Sequence, residues 1–202
     1  WGKFAGDNPF KNATLNNRKL LAVPDNRRIR FLQPEEANSL LNELANKSPQ
    51  VHDMALLSLD TGMRRGEVFS LTWQDIDFKN DIIQIKDTKS NRNRQAFMTK
   101  QVKAMLKTRG KSGGGVGYIF QSKNGGGIHY VYKVFDRTVE ALGFNKGLKD
   151  TRDRVVFHTL RHTFASWLAL NGTPLLAIKE LGGWQSLDMV ERYAHLVPDQ
   201  KR

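Results

Sequence analysis

Two arginines, a histidine, a lysine and a tyrosine stand in this sequence, residue types that together suit one reaction. Arg64 is followed three residues later by Glu67, and His158 precedes Arg161 and His162 in a single short string. Trp184 lies nine residues before Tyr193, and Lys89 sits between two apolar runs. Breaking a phosphodiester without a metal needs this set of residue types. Guanidiniums present forked donors that keep their protons, so they suit the charge that builds on the non-bridging oxygens. A lysine or histidine supplies proton transfer at the nucleophile and the leaving oxygen. A tyrosine can carry the phosphate covalently, which conserves the bond energy and lets a DNA hydroxyl reverse the step.

Each residue alone has a plainer explanation. Arg64 and Glu67 can be a surface i,i+3 pair worth a few tenths of a kcal/mol. Trp184 can be core, and Tyr193 by itself is one of four tyrosines. His162 falls beside the spacing and reads as a packed or hydrogen-bonded histidine. Only the set taken together points to chemistry.

Two other motifs fail. Gly110-Lys111-Ser112 resembles the end of a phosphate-binding P-loop, but that loop requires glycine at 105, where Met105 stands. His158 and His162 have the spacing of two zinc ligands on one helix face. Thr159 replaces the expected glutamate, however, and Arg161 would bring a cation to the metal. No metal and no cofactor is expected. The absence of cysteine excludes disulfides and thiolate metal sites.

The charge balance indicates the partner. There are 32 Lys+Arg against 20 Asp+Glu, a formal net charge of +12 over 202 residues. Such an excess concentrates phosphates and releases their counterions. Between Lys86 and Lys111 the basic residues include Lys89, Arg92, Arg94, Lys100, Lys103, Lys107 and Arg109, with only Asp87 opposing. No run approaches the roughly 18–20 apolar residues of a membrane span, and no basic amphipathic helix with aromatic residues opposite is evident. Nucleic acid is therefore favoured over a membrane surface.

The elements that must hold these residues are mostly helices. Residues 1–29 are polar and carry Pro9 and Pro24, so they read as a linker. Pro34-Glu35-Glu36 opens a helix with Ala37, Leu40, Leu41 and Leu44 on one face. A second covers His52 to Asp60 and stops at Gly62, and a third runs from Arg65 to Leu71. Ile82–Ile85 and Gln95–Met98 alternate as strands of a β-hairpin with a basic tip. Thr99 caps a further helix, and Tyr118-Ile119-Phe120 is a short extended element. Val131 to Leu142 is helical. Thr159 is expected to cap a helix ending at Gly172, and Thr173-Pro174 restarts one that stops at Gly182-Gly183. A short helix then leads to Tyr193. The fold class expected is mainly α with a small antiparallel β-sheet, an α+β architecture.

At Thr61-Gly62-Met63-Arg64-Arg65-Gly66-Glu67, at His158-Thr159-Leu160-Arg161-His162 and at Trp184 through Tyr193, the sequence resembles the tyrosine recombinase or phage integrase family, catalytic domain. The boxes occur in the family's order, and the likeness extends from about Phe31 to Leu196. The family more often has Leu-Gly-His where this chain has Gly182-Gly183-Trp184.

The resemblance implies a site-specific recombinase that cleaves and rejoins DNA through a 3′-phosphotyrosyl intermediate, without metal or ATP. It implies Tyr193 as nucleophile, with Arg64, Arg161 and Trp184 on the phosphate and Glu67 as acidic support. His158 would help to remove the tyrosine proton, and Lys89 would protonate the departing 5′ oxygen. Lys86, Arg92 and Arg94 are nearby alternatives to Lys89, and are otherwise expected to contact DNA. It further implies residues 1–29 as an interdomain linker remnant and 30–202 as the catalytic domain, with a core-binding domain upstream. The expected partner is a double-stranded recombination or attachment site, held by a tetramer with accessory DNA-bending proteins. The expected setting is the bacterial cytoplasm and nucleoid, in a prophage or genomic island. The rival readings are a type IB topoisomerase-like enzyme and a non-catalytic DNA-binding module.

Overall fold

A computed structural model describes residues 30–86, 93–113, 116–128 and 132–198, together with two short strands, β1 (Thr14–Leu15) and β2 (Arg18–Lys19). These two strands pair antiparallel, within the stretch read from the sequence as a linker.

The organised chain begins with α1 (Pro34–Lys47), whose start is fixed by proline in the first turn and by Glu36 accepting from the backbone N–H of Gln33 at 2.8 Å. Ser48 caps α2 (Pro49–Thr61), which packs against α1 and several later helices. Val51, Met54, Ala55, Leu56, Leu57 and Leu59 are all buried along it, so it is apolar around most of its surface. Gly62 closes α2 in the left-handed conformation, φ 65°, and the short α3 (Arg65–Phe69) follows at once.

The chain then forms a three-stranded antiparallel sheet, β3 (Ile76–Asp77), β4 (Ile82–Ile85) and β5 (Arg94–Phe97). Only the β4–β5 hairpin was expected, because a two-residue strand has no readable alternation. In its register Ile83 faces Ala96 and Ile85 faces Arg94. Directly opposed residues share a face. Ile83, Ile85 and Ala96 are buried, so Arg94 also points inward.

Thr99 accepts from the N–H of Val102 at the start of α4 (Lys100–Gly113), which buries Val102 and Leu106. Tyr118 bridges back to Thr72, and α5 (Tyr132–Ala141) buries Phe135 and Val139. Next come α6 (Phe157–Leu170), α7 (Leu175–Gly182) and α8 (Asp188–Glu191). Thr159 lies inside the first turn of α6 rather than at its cap, where its hydroxyl accepts from the N–H of Val156.

Two apolar clusters result. The larger gathers α1, α2, the sheet, α4, α5 and the start of α6. The smaller holds Ala165, Ala169, Ile178, Trp184, Val190 and Tyr193, where α6, α7 and α8 meet. Thr163 and Trp167 of α6 tie the chain entry down through the N–H and carbonyl of Leu32, each at 3.0 Å.

Candidate active site

Arg64 occupies the corner between α2 and α3, where the left-handed turn at Gly62 redirects the chain. Glu67, one turn into α3, accepts the backbone N–H of Arg64 with Oε2 and its guanidinium with Oε1, both at 2.7 Å. Oε2 also accepts from Arg94 Nη2 at 2.7 Å. One nearly buried carboxylate thus orients two arginines from different elements, with the charge-assisted geometry that makes such bonds strong.

Helix α6 presents the central string. His158 is exposed, Arg161 is 1% exposed, and His162 is buried. Arg161 donates from Nη1 to the carbonyls of Gly62 and Gly182, the latter at 2.7 Å. Its guanidinium lies over the Trp184 indole, 3.9 Å from the ring centre. Its Nη2 is buried and makes no hydrogen bond among the described residues.

The end of α7 is where these elements join. The carbonyls of Leu181, Gly182 and Gly183 are orphaned acceptors at the negative end of the helix dipole. Arg94 donates to the first at 3.1 Å, Arg161 to the second, and Arg64 to the third at 2.7 Å. Three arginines distant in sequence therefore fasten the loop that carries Trp184, and through it the segment that carries Tyr193.

Tyr193 is buried among Trp184, 6.0 Å away between ring centres, and His162, 6.1 Å away. Its hydroxyl lies 2.5 Å from His162 Nδ1. With Nδ1 unprotonated, the phenol donates to it. Burial pushes the Tyr193 phenol up to about 12, against the pull of the Arg192 and Arg161 charges. Burial likewise pushes the Arg161 guanidinium down to about 9, helped by the charges of Arg64 and Arg94 and opposed by those of Glu67 and Tyr193. It stays a cation at neutral pH.

Arg64, Glu67, Arg161, Trp184 and Tyr193 are thus brought together, and His158 stands at the margin with its ring 4.9 Å from that of His162. One residue is placed differently from expectation. Arg94 is turned inward by the sheet register and braces Glu67 and α7, rather than offering its charge to a DNA surface. Lys86 pairs with the buried Asp75 at 2.6 Å. Lys89 and Arg92 lie outside the described residues. His162, expected from the sequence to be packed or hydrogen-bonded, is both buried and hydrogen-bonded to the Tyr193 hydroxyl.

Among the described residues no group of three or more His, Asp or Glu side chains could hold a metal, and no helix is long and apolar enough to cross a membrane. A cavity of about 590 Å³ lies elsewhere, beside Asp53, Trp73 and Arg109, and none of the site residues lines it. A site for a duplex need not be a deep pocket.

The model of the phage integrase family matches residues 30–200. The integrase of Salmonella phage P22 is 34% identical over 196 residues, which cover 92% of this chain and 49% of that protein. The tyrosine recombinase XerA of Saccharolobus solfataricus is 32% identical over 146 residues, covering 72% of this chain and 46% of that protein. The chain therefore spans about half the length of these curated relatives. The solved catalytic domain of bacteriophage HP1 integrase superposes with a TM-score of 0.66 at 27% identity, covering 85% of this chain and 90% of that one. XerH recombinase bound to a palindromic difH substrate, in a post-cleavage complex, superposes with a TM-score of 0.70 at 23% identity over 91% of this chain and 55% of its own. At that identity the likeness is one of fold.

Proposed function

The chain belongs to the phage integrase family, and on that premise we propose that it is the strand-cleaving and rejoining domain of a tyrosine site-specific recombinase. The observation that carries the reading is the convergence of Arg64 and Arg161, from two distant parts of the chain, on the Gly182–Trp184 turn, with Trp184 packed against Tyr193.

The Tyr193 oxygen attacks a scissile phosphorus as the O–H bond breaks and His158 takes up the proton. A 3′-phosphotyrosyl ester forms, the bond to the 5′ oxygen breaks, and Lys89 delivers the proton that oxygen needs. A 5′ hydroxyl from a partner duplex reverses the step. Arg64 and Arg161 stabilise the charge that appears on the non-bridging oxygens, and the indole N–H of Trp184 offers one more donor. A phosphate oxygen would satisfy Arg161 Nη2, whose isolation otherwise costs about 1–3 kcal/mol. Both that atom and Tyr193 are covered in this conformation, so DNA binding must shift the segment from Trp184 to Tyr193. The arginines at Leu181, Gly182 and Gly183 are the fastening across which that shift is controlled.

The excess of positive charge supports duplex DNA as the substrate, in the cytoplasm or nucleoid. Residues 30–202 form the catalytic domain and 1–29 lead into it from a core-binding domain. Four protomers on two sites, with DNA-bending proteins, complete the assembly.

The test is capture on a pool of nicked suicide duplexes of random sequence, in excess chelator, followed by denaturing electrophoresis. A covalent protein–DNA adduct is expected with the wild-type protein and none with Tyr193→Phe. Binding without an adduct would leave a DNA-binding module. An adduct with plasmid relaxation but no strand exchange would point to a topoisomerase-like enzyme.

A further inference from the structure

We infer that Arg94 is a positioning residue for the acid step: it fastens the hairpin that bears Lys89 to the arginine–glutamate site, and so sets the reach of the lysine. The inference rests on the recombinase reading, in which Lys89 is the acid.

Among the described residues the β4–β5 pairing ends at Ile85 and Arg94, which face each other. The eight residues between them, 86–93, include Lys89, four positions from Ile85 and five from Arg94. At roughly 3.6 Å of chain per residue, Lys89 stays within about 14 Å of the Ile85 backbone. The place of the hairpin base therefore bounds where the lysine can act.

The two ends of this stretch are anchored to different neighbours. Lys86 pairs with the buried Asp75, in the turn that leads into β3. Arg94 reaches the site itself. Its Nη2 donates to Glu67 Oε2 at 2.7 Å and its Nη1 to the carbonyl of Leu181 at 3.1 Å. Glu67 holds the Arg64 guanidinium with its other oxygen, so the hairpin and a phosphate-binding arginine share one carboxylate.

The fold makes room for this link. The Arg94 side chain is 13% exposed and passes Gly183 so closely that a Cβ there would stand 2.2 Å from its Cδ. Gly183 also has φ 69°, a left-handed value that favours glycine. The guanidinium is thus led between α3 and the end of α7, and a larger residue at 183 would obstruct it.

An acid works only from within hydrogen-bond reach of the leaving oxygen, and a small misplacement costs heavily. In the acid step the bond from phosphorus to the 5′ oxygen breaks. The Lys89 ammonium gives that oxygen a proton and becomes an amine. With the base of the hairpin loose, the lysine spends less time in reach and the step slows. Other roles for Arg94 make different demands. A direct contact with the phosphate, or support of Arg64 through Glu67, would be felt whatever the leaving group. Positioning through Lys89 is felt only where the leaving group needs a proton.

The experiment follows single-turnover cleavage of the suicide duplex selected by the wild-type protein, with oxygen or with sulfur in the bridging 5′ position. The variants are Arg94→Ala, Arg94→Lys, Lys89→Ala and the double variant of Arg94→Ala with Lys89→Ala. Arg94→Ala should cleave the oxygen duplex at least about tenfold more slowly, and the sulfur duplex within about threefold of wild type. Arg94→Lys keeps the charge but lacks the fork that spans Glu67 and Leu181, so it should show the same pattern with a smaller loss. On the oxygen duplex, Arg94→Ala should cost under about threefold once Lys89 is already replaced. The ratio of the two rates within one preparation does not depend on the fraction of protein that folds. Equal losses on the two duplexes, no loss on either, or losses that multiply in the double variant would each overturn the inference. Failure of the wild-type protein itself to form an adduct would instead overturn the recombinase reading, and the inference with it.

Discussion

The guanidinium of Arg161 lies over the indole of Trp184, 3.9 Å from the guanidinium carbon to the ring centre. The stack lets a fully buried cation rest on an aromatic quadrupole while its Nη1 holds two backbone carbonyls. It also explains the glycine two residues before the tryptophan. A Cβ on Gly182 would stand 1.8 Å from the indole, inside any tolerable contact.

Gly182→Ala should therefore displace Trp184 and lower stability by about 2 kcal/mol or more, as overpacking does in a closed core. In a Trp184→Ala background the same substitution should cost far less. A double-mutant cycle by urea denaturation checks the coupling, and equal costs in both backgrounds would contradict the contact.

Glu67 holds Arg64 and Arg94 at once, so its removal leaves two partly buried guanidiniums without their carboxylate. Glu67→Gln is expected to destabilise the fold by roughly 3 kcal/mol, the order seen when one partner of a buried pair is lost. Glu43→Gln, which breaks the exposed i,i+4 pair with Lys47, should cost under about 1 kcal/mol. Comparable losses from the two variants would count against the bracing role.

What the sequence could and could not disclose follows the range of each interaction. Arg64 and Glu67 are three residues apart on one turn, so their partnership is visible as spacing. Trp184 and Tyr193 are set by a fixed count along a short segment. The bond between His162 and Tyr193 depends on how α6 meets the chain end, and no local pattern encodes that. The inward turn of Arg94 follows from its register against Ile85, which a basic stretch conceals. Thr159 was read as a cap because threonine favours that position, yet the helix starts at Phe157 and the hydroxyl serves Val156 from within. The two-residue strand Ile76–Asp77 owes its existence to β4 alone.

Burial of Tyr193 gives a spectroscopic prediction. The folded-state value, about 12, lies above the ordinary 10.0 of the unfolded chain. The phenol is neutral in both states below about pH 10, so its contribution to stability is intact there. Between 10 and 12 the unfolded chain releases its proton first, and stability is lost as pH rises. Arg161 acts in the opposite sense, because its folded value of about 9 lies below its ordinary 12.5. A melting curve would mix the two. The ultraviolet difference between wild type and Tyr193→Phe isolates the phenol and should show one ionisation near pH 12; a midpoint near 10 would contradict the enclosure.

Lys89 can be tested by its leaving group. Lys89→Ala should slow cleavage of an ordinary phosphodiester about 100-fold. With sulfur in the bridging 5′ position the leaving group needs no acid, and the defect should largely vanish. An equal defect on both substrates would assign the acid to another residue, Lys86 or Arg92 among the nearest.

The central claim is that the oxygen of Tyr193 becomes joined to a 3′-phosphate of DNA. The direct measurement is mass spectrometry of the trapped adduct after nuclease and protease digestion. The expected result is a nucleotide attached through its 3′-phosphate to the peptide that contains Tyr193, with the fragment ions placing it on that residue. A nucleotide on any other side chain, or one joined through a 5′-phosphate, would contradict it.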